Sequence, residues 1–212
     1  STPTAKWNPD GGRESAIKQT TAWKMMTVLA TTAERPEPAI DIDMATPAWR
    51  EFLPGAEDLC RAAVAATWLA AETELTLALV DRRTEVSVRL ADDDDVAALN
   101  FDYRERQGPT NVLSFPAALE NELTGLPPEA PVLLGDIVLA LGVVEREAVT
   151  QSKAPADHFS HLVVHGMLHL LGYDHIEADD AEIMEKLETV VLAGLRIADP
   201  YDDIDDGSRG DA

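Results

Sequence analysis

The stretch HGMLHLLGYDH, residues 165–175, carries three of the five histidines in a chain of 212 residues. No other segment limits the possible folds so strongly. His165 and His169 are four apart, so on a helix they share one face, one turn apart. Gly172 stands where a helix C-cap belongs, and glycine tolerates the left-handed conformation that ends a helix. The chain then turns through Tyr173 and Asp174 and can aim His175 at the same point. Three neutral imidazoles around one Zn²⁺ leave a fourth position open, as catalytic zinc sites do and closed structural ones do not. An amphipathic face explains two histidines at helical spacing by accident, but not a third beyond a glycine break. Met167, Leu168, Leu170 and Leu171 are apolar and anchor the helix in a core. One Zn²⁺ per chain is the expectation.

The spacing is that of the peptidase signature H-E-x-x-H-x-x-G-x-x-H, glycine included. The second position differs. A peptidase of that kind needs a glutamate there as general base, and this chain has Gly166, which carries no proton acceptor. The cage is protease-like without the protease's base.

Residues 1–38 show no periodicity and read as a flexible extension or an expression leader, with Met25–Met26 a candidate natural start. They hold no apolar segment of the signal-peptide kind. Regular patterning begins at residue 39. Strands are expected over AIDIDMA (39–45), ELTLALV (74–80), EVSVRLA (85–91), TNVLSFP (110–116) and LGDIVLAL (134–141). Helices are expected over 55–72, 92–104, 142–151, 154–172 and 178–195. In the first of them Leu59, Ala63, Ala66 and Leu69 form the apolar face. Residues 119–131 read as loop. Strands come early and helices late, so the class is α+β rather than a doubly wound α/β fold. The main domain spans 39–202, and 203–212 is an acidic tail.

A lone cysteine, Cys60, rules out an internal disulfide, fits a reducing cytoplasm, and reads as a small core residue. No run approaches the roughly 18 apolar residues of a membrane helix. The net charge of −22 argues against a nucleic-acid binder when taken alone, because phosphate neutralisation needs Lys and Arg. The acids cluster, however, in 92–95, 176–188 and 199–207, while YRERQGPTN (103–111) is locally basic. An acidic surface can surround one small cationic groove.

With these motifs in hand, the chain resembles the YbeY endoribonucleases, single-strand-specific bacterial RNases linked to ribosomal RNA maturation. The resemblance rests on HGMLHLLGYDH, the preceding SHLVVH, the following IEADDAEIMEKLE, the upstream LNFDYRERQGPTNVLSFP, and LLGDIVLA. It covers roughly residues 39–202. It implies a zincin-like α+β domain with a small mixed sheet, His165, His169 and His175 as zinc ligands, and Arg104 as the functional arginine. Single-stranded RNA, a ribosomal RNA precursor, becomes the expected substrate, ribosomal proteins or ribosome-associated factors the expected partners, and DNA and membranes are excluded. The family usually carries an acid where this chain has Gln107, so no carboxylate role transfers to that position.

Arg104 suits phosphate because its planar fork can hold two oxygens at once; the bland alternative is a surface ion pair. His161 lies one turn before His165 and either contacts substrate or sits in the core or behind a ligand. Asp174 either orients a ligand histidine or serves the turn. Asn111 and Ser114 either hydrogen-bond RNA or are ordinary turn residues. Asp136 is either paired internally or faces the site, and His158 reads as helix surface. Two further functions compete with the nuclease: a ribosome-associated factor whose metal is mainly structural, and, more distantly, a zinc peptidase.

Overall fold

Alternation of apolar and polar residues at period two sets the sheet. The computed structural model describes residues 36–71, 79, 81–117, 126–127 and 129–201. The strands are β1 (Ala39–Met44), β2 (Thr84–Ala91), β3 (Val112–Pro116) and β4 (Val132–Ala140). They lie in the order β1-β2-β4-β3. The β1–β2 and β2–β4 pairs are parallel, and β3 runs antiparallel to β4 at one edge. This is the small mixed sheet that the family resemblance implies. The expected strand over 74–80 lies outside the described residues except for Leu79, which is buried in a turn. The expected extension likewise lies outside them as far as residue 35. At residue 36 the chain is already fastened, because the Pro36 carbonyl accepts from Trp68 Nε1 at 3.0 Å.

Six helices are described: α1 (Ala48–Phe52), α2 (Ala56–Ala70), α3 (Asp93–Arg104), α4 (Leu141–Thr150), α5 (Pro155–Leu170) and α6 (Ala178–Gly194). Helix α3 packs Val96 and Leu99 against Leu113 and Val138 on one face of the sheet, while Val86, Val88, Leu90, Ile137 and Leu139 point from the opposite face into the core that the other helices cover. Helix α5 is its central element, packed against α2, α4, α6, β3 and β4. It is buried over most of its surface, the polar His158 and Ser160 included. No described helix is long and apolar enough to cross a membrane.

The acidic run at 92–95 has structural work. Asp92 caps α3, its Oδ1 accepting from the Asp95 amide at 2.9 Å. Asp93 accepts from the Val143 amide at 3.1 Å and from Arg146 Nη2 at 2.9 Å, joining the starts of α3 and α4. Cys60 is buried as expected, and burial pushes its thiol up to about 12.

Three sequence-based expectations need correction. The buried face of α2 is Ala56, Cys60, Ala63, Val64, Thr67 and Trp68. Leu69, expected on that face, is 58% exposed, because Trp68 takes the core direction and turns its neighbour outward. Asp136 neither finds a partner inside nor faces the histidines. It lies exposed on the open face of the sheet, where Asp41, Asp43, Arg89 and Asp102 line a shallow groove with it. His158, expected on the helix surface, is 3% exposed, and its Nε2 donates to Glu147 Oε2 at 2.9 Å.

Burial lowers the pKa of His158 below the ordinary 6.5, with Glu147 opposing. A histidine whose folded pKa is depressed binds fewer protons folded than unfolded, so it removes stability as pH falls below about 6.5. His158→Gln keeps a donor for Glu147 without the titration. The expected result is a shallower loss of stability on acidification than in the wild type, read from denaturant midpoints across that range.

Candidate functional site

The last turn of α5 and the chain just beyond it bring the three histidines together. Gly172 has φ +88°, and the chain doubles back so that the Tyr173 amide donates to the Leu168 carbonyl at 3.1 Å. His165 and His169 face one pocket from the helix, and His175 reaches it from the turn. Their ligand atoms all lie within 4.8 Å of one another. The His175 ring centre is 5.5 Å from that of His165 and 5.1 Å from that of His169.

The proton positions follow from the partners. His165 Nδ1 donates to Glu188 Oε1 at 2.7 Å, and His169 Nδ1 donates to the Tyr173 carbonyl at 3.0 Å. Neither partner carries a proton to give, so both rings hold theirs on Nδ1 and direct the Nε2 lone pair into the pocket. Those two Nε2 atoms are 3.2 Å apart. Two lone pairs facing each other at that distance repel unless a cation sits between them. Tetrahedral zinc–imidazole geometry at about 2.05 Å requires a nitrogen–nitrogen separation of roughly 3.3 Å. The residues fit a metal ion. Burial, together with the neighbouring His165 and His175, lowers the pKa of His169 and favours its neutral form.

Nothing local in the sequence marks Glu188, on α6, as part of the site. It is 1% exposed, and its Oε2 accepts from His161 Nε2 at 3.0 Å and from the Tyr201 hydroxyl. Burial alone would raise its pKa, but the hydrogen bonds from His161, His165 and Tyr201 outweigh it and hold the carboxyl at about 2. Its sequence signal was position: Met184, Glu188, Val191 and Leu192 form one buried stripe of α6, and a glutamate on such a stripe needs a partner.

A pocket of about 570 Å³ opens over the histidines, lined also by Arg104, Arg106, Asn111, Ser114 and Asp174. Arg104 ends α3, where Glu105 takes a left-handed conformation at φ 56°. Asn100 Nδ2 donates to the Gly108 carbonyl at 2.8 Å and folds the loop that follows over the pocket. Arg104 is exposed and has no ion pair with any described residue. Asn111 is engaged on both sides, accepting from the Val112 amide at 2.7 Å and donating to Glu147 at 3.0 Å. Asp174 accepts from the His175 amide at 2.7 Å. The pocket thus gathers Arg104, Asn111, Ser114, His165, His169, Asp174 and His175. His161 is turned away, toward Glu188 and a separate cavity between α5 and the end of α6. Gln107 is exposed and does not line the pocket.

Gly166 faces the sheet. A Cβ there would stand 2.9 Å from Ile137 Cγ2 and 3.1 Å from Ser114 Oγ. Overpacking a fitted core costs about 1–3 kcal/mol, against about 1 kcal/mol gained by alanine in a helix. Gly166→Ala is therefore expected to lose about 1 kcal/mol, measured as a lower urea midpoint at unchanged slope.

Fold and site together define a small mixed α/β protein with a three-histidine candidate metal centre beside an arginine unpaired among the described residues. A family model described as Endoribonuclease YbeY matches residues 57–196. An Endoribonuclease YbeY of Paramagnetospirillum magneticum is 50% identical over 162 residues, 76% of this chain and 94% of its own length. Relatives of the same name from Rhizorhabdus wittichii and Pseudomonas putida are 52% and 48% identical, over 66% and 71% of this chain and 86% and 96% of theirs. The chain belongs to the YbeY family.

Proposed function

We propose that the protein is a zinc-dependent, single-strand-specific endoribonuclease acting in ribosomal RNA maturation and ribosome quality control in the cytoplasm. The observation that carries this reading is one pocket lined both by converging imidazole lone pairs and by an arginine that has no ion pair among the described residues. Membership of a family whose members are named endoribonucleases supports it. His165, His169 and His175 hold the ion. Zinc, when bound, supplies Lewis acidity and makes water a nucleophile near neutral pH. Arg104 holds phosphoryl oxygens in its planar fork and offsets the charge that gathers as the phosphodiester is attacked. The neighbouring Arg106 adds positive potential that draws a phosphate chain to the pocket despite the acidic surroundings. Asn111 and Ser114 line the path that RNA takes across the pocket, and ribosomal proteins or ribosome-associated factors present the substrate.

The testing experiment is single-turnover cleavage of a labelled unstructured RNA by metal-loaded wild type and His165→Ala. Cleavage by the wild type alone is expected. Equal cleavage by both would remove the metal from the mechanism. No cleavage by either would leave a ribosome-associated factor with a structural metal.

A further inference from the structure

We propose that Glu188 is the positioning residue of the metal centre: its buried carboxylate fixes the tautomer and orientation of His165 and thereby strengthens the hold on the ion. This rests on the metal-site reading above. The three candidate ligands are oriented unequally. His165 has the Glu188 carboxyl group at 2.7 Å, His169 a backbone carbonyl at 3.0 Å, and the His175 ring has no hydrogen-bond partner among the described residues. A carboxylate accepting the Nδ1 proton makes the far nitrogen a better electron donor, and it does so more strongly than a carbonyl.

Packing gives no reason for the choice of residue. Glu188 occupies a stripe otherwise filled by Met184, Val191 and Leu192, where a charge is costly unless paired. It is paired three times, through His161, His165 and Tyr201, so the carboxylate cannot swing away from His165 without breaking bonds to α5 and to residue 201. His161 and Tyr201 are in this arrangement the groups that hold the holder. The end of the described chain is thereby built into the metal centre: Asp199 accepts from Thr189 Oγ1 at 3.3 Å and from the Tyr201 amide at 2.9 Å, which sets the turn that delivers the Tyr201 hydroxyl.

Glu188→Gln is nearly isosteric and keeps one acceptor oxygen. Zinc affinity is read by competition with a chromogenic chelator, and the ligand field by the visible spectrum of the Co²⁺-loaded protein. The melting temperature of each metal-free protein is taken alongside. The expected result is zinc binding weakened about 10–100-fold, with an altered Co²⁺ spectrum. Wild-type affinity together with an unchanged spectrum would overturn the proposal, because a purely structural glutamate would change only the melting temperature. A second measurement does not depend on the variant folding. Imidazole ¹⁵N spectra of the zinc-loaded wild type should show His165 bound through Nε2 with a downfield proton on Nδ1, and a ring bound through Nδ1 would refute the assignment. A wild type that binds no zinc at all would sink the metal reading, and this inference with it, whereas tight wild-type binding unaffected in Glu188→Gln sinks the inference alone.

Discussion

Arg104→Ala is expected to bind zinc and melt like the wild type, yet cleave single-stranded RNA about 10²–10³-fold more slowly in a single turnover. The guanidinium is exposed and unpaired among the described residues, so removing it leaves no buried group without a partner. It shares the pocket with the histidines, so its loss falls on the transition state. Arg104→Lys should recover little, since an ammonium cannot hold two phosphate oxygens in one plane. Undiminished cleavage by Arg104→Ala would place the phosphate clamp elsewhere, with Arg106 the next residue to test.

His169→Ala should have the largest effect on the metal. Removing one of three imidazoles, the one whose Nε2 is 3.2 Å from that of His165, destroys the converging pair. Elemental analysis should find about one zinc per wild-type chain and far less in the variant. If the ion binds only the folded arrangement, zinc at 1,000 times its dissociation constant should stabilise the wild type by about 4 kcal/mol. Added zinc should raise the wild-type melting temperature and leave the variant where it was. Equal metal content in both proteins would mean that the ion, if bound, sits elsewhere.

The histidine centre was legible because its parts are local. Two of the histidines follow from helical periodicity, and the third needs only a glycine that can reverse the chain. What the reading missed came from distant segments. Glu188 is 23 residues beyond His165 and meets it only because α6 packs on α5. The charged residues just before it, Glu182, Glu185 and Lys186, disguise it as one more solvated acid; only its phase with Met184 and Val191 sets it apart. His158 was misplaced for a related reason. A helix covered by α2, α4, α6 and two strands has almost no outer face, and periodicity cannot tell how many neighbours will cover it. In α2 the error was one of phase: many small apolar residues admit two stripes, and the large Trp68 selected the one without Leu69. That the sheet is mixed came only from the family resemblance, and its strand order depends on pairings between segments far apart in the chain.

The tight seat of Gly166 bears on how this scaffold could be re-engineered. Its motif differs from the peptidase signature by a single letter, which invites the idea that one codon separates the two chemistries. The space around residue 166 refuses that shortcut. A glutamate introduced there would start its side chain against Ile137 and Ser114, in the seam between helix and sheet. Its first carbon would already need space that Ile137 and the Ser114 hydroxyl fill, before the carboxylate could be aimed at anything. Grafting a peptidase's base onto this protein would require prying α5 away from β3 and β4 first, which would also disturb the face that carries His165 and His169.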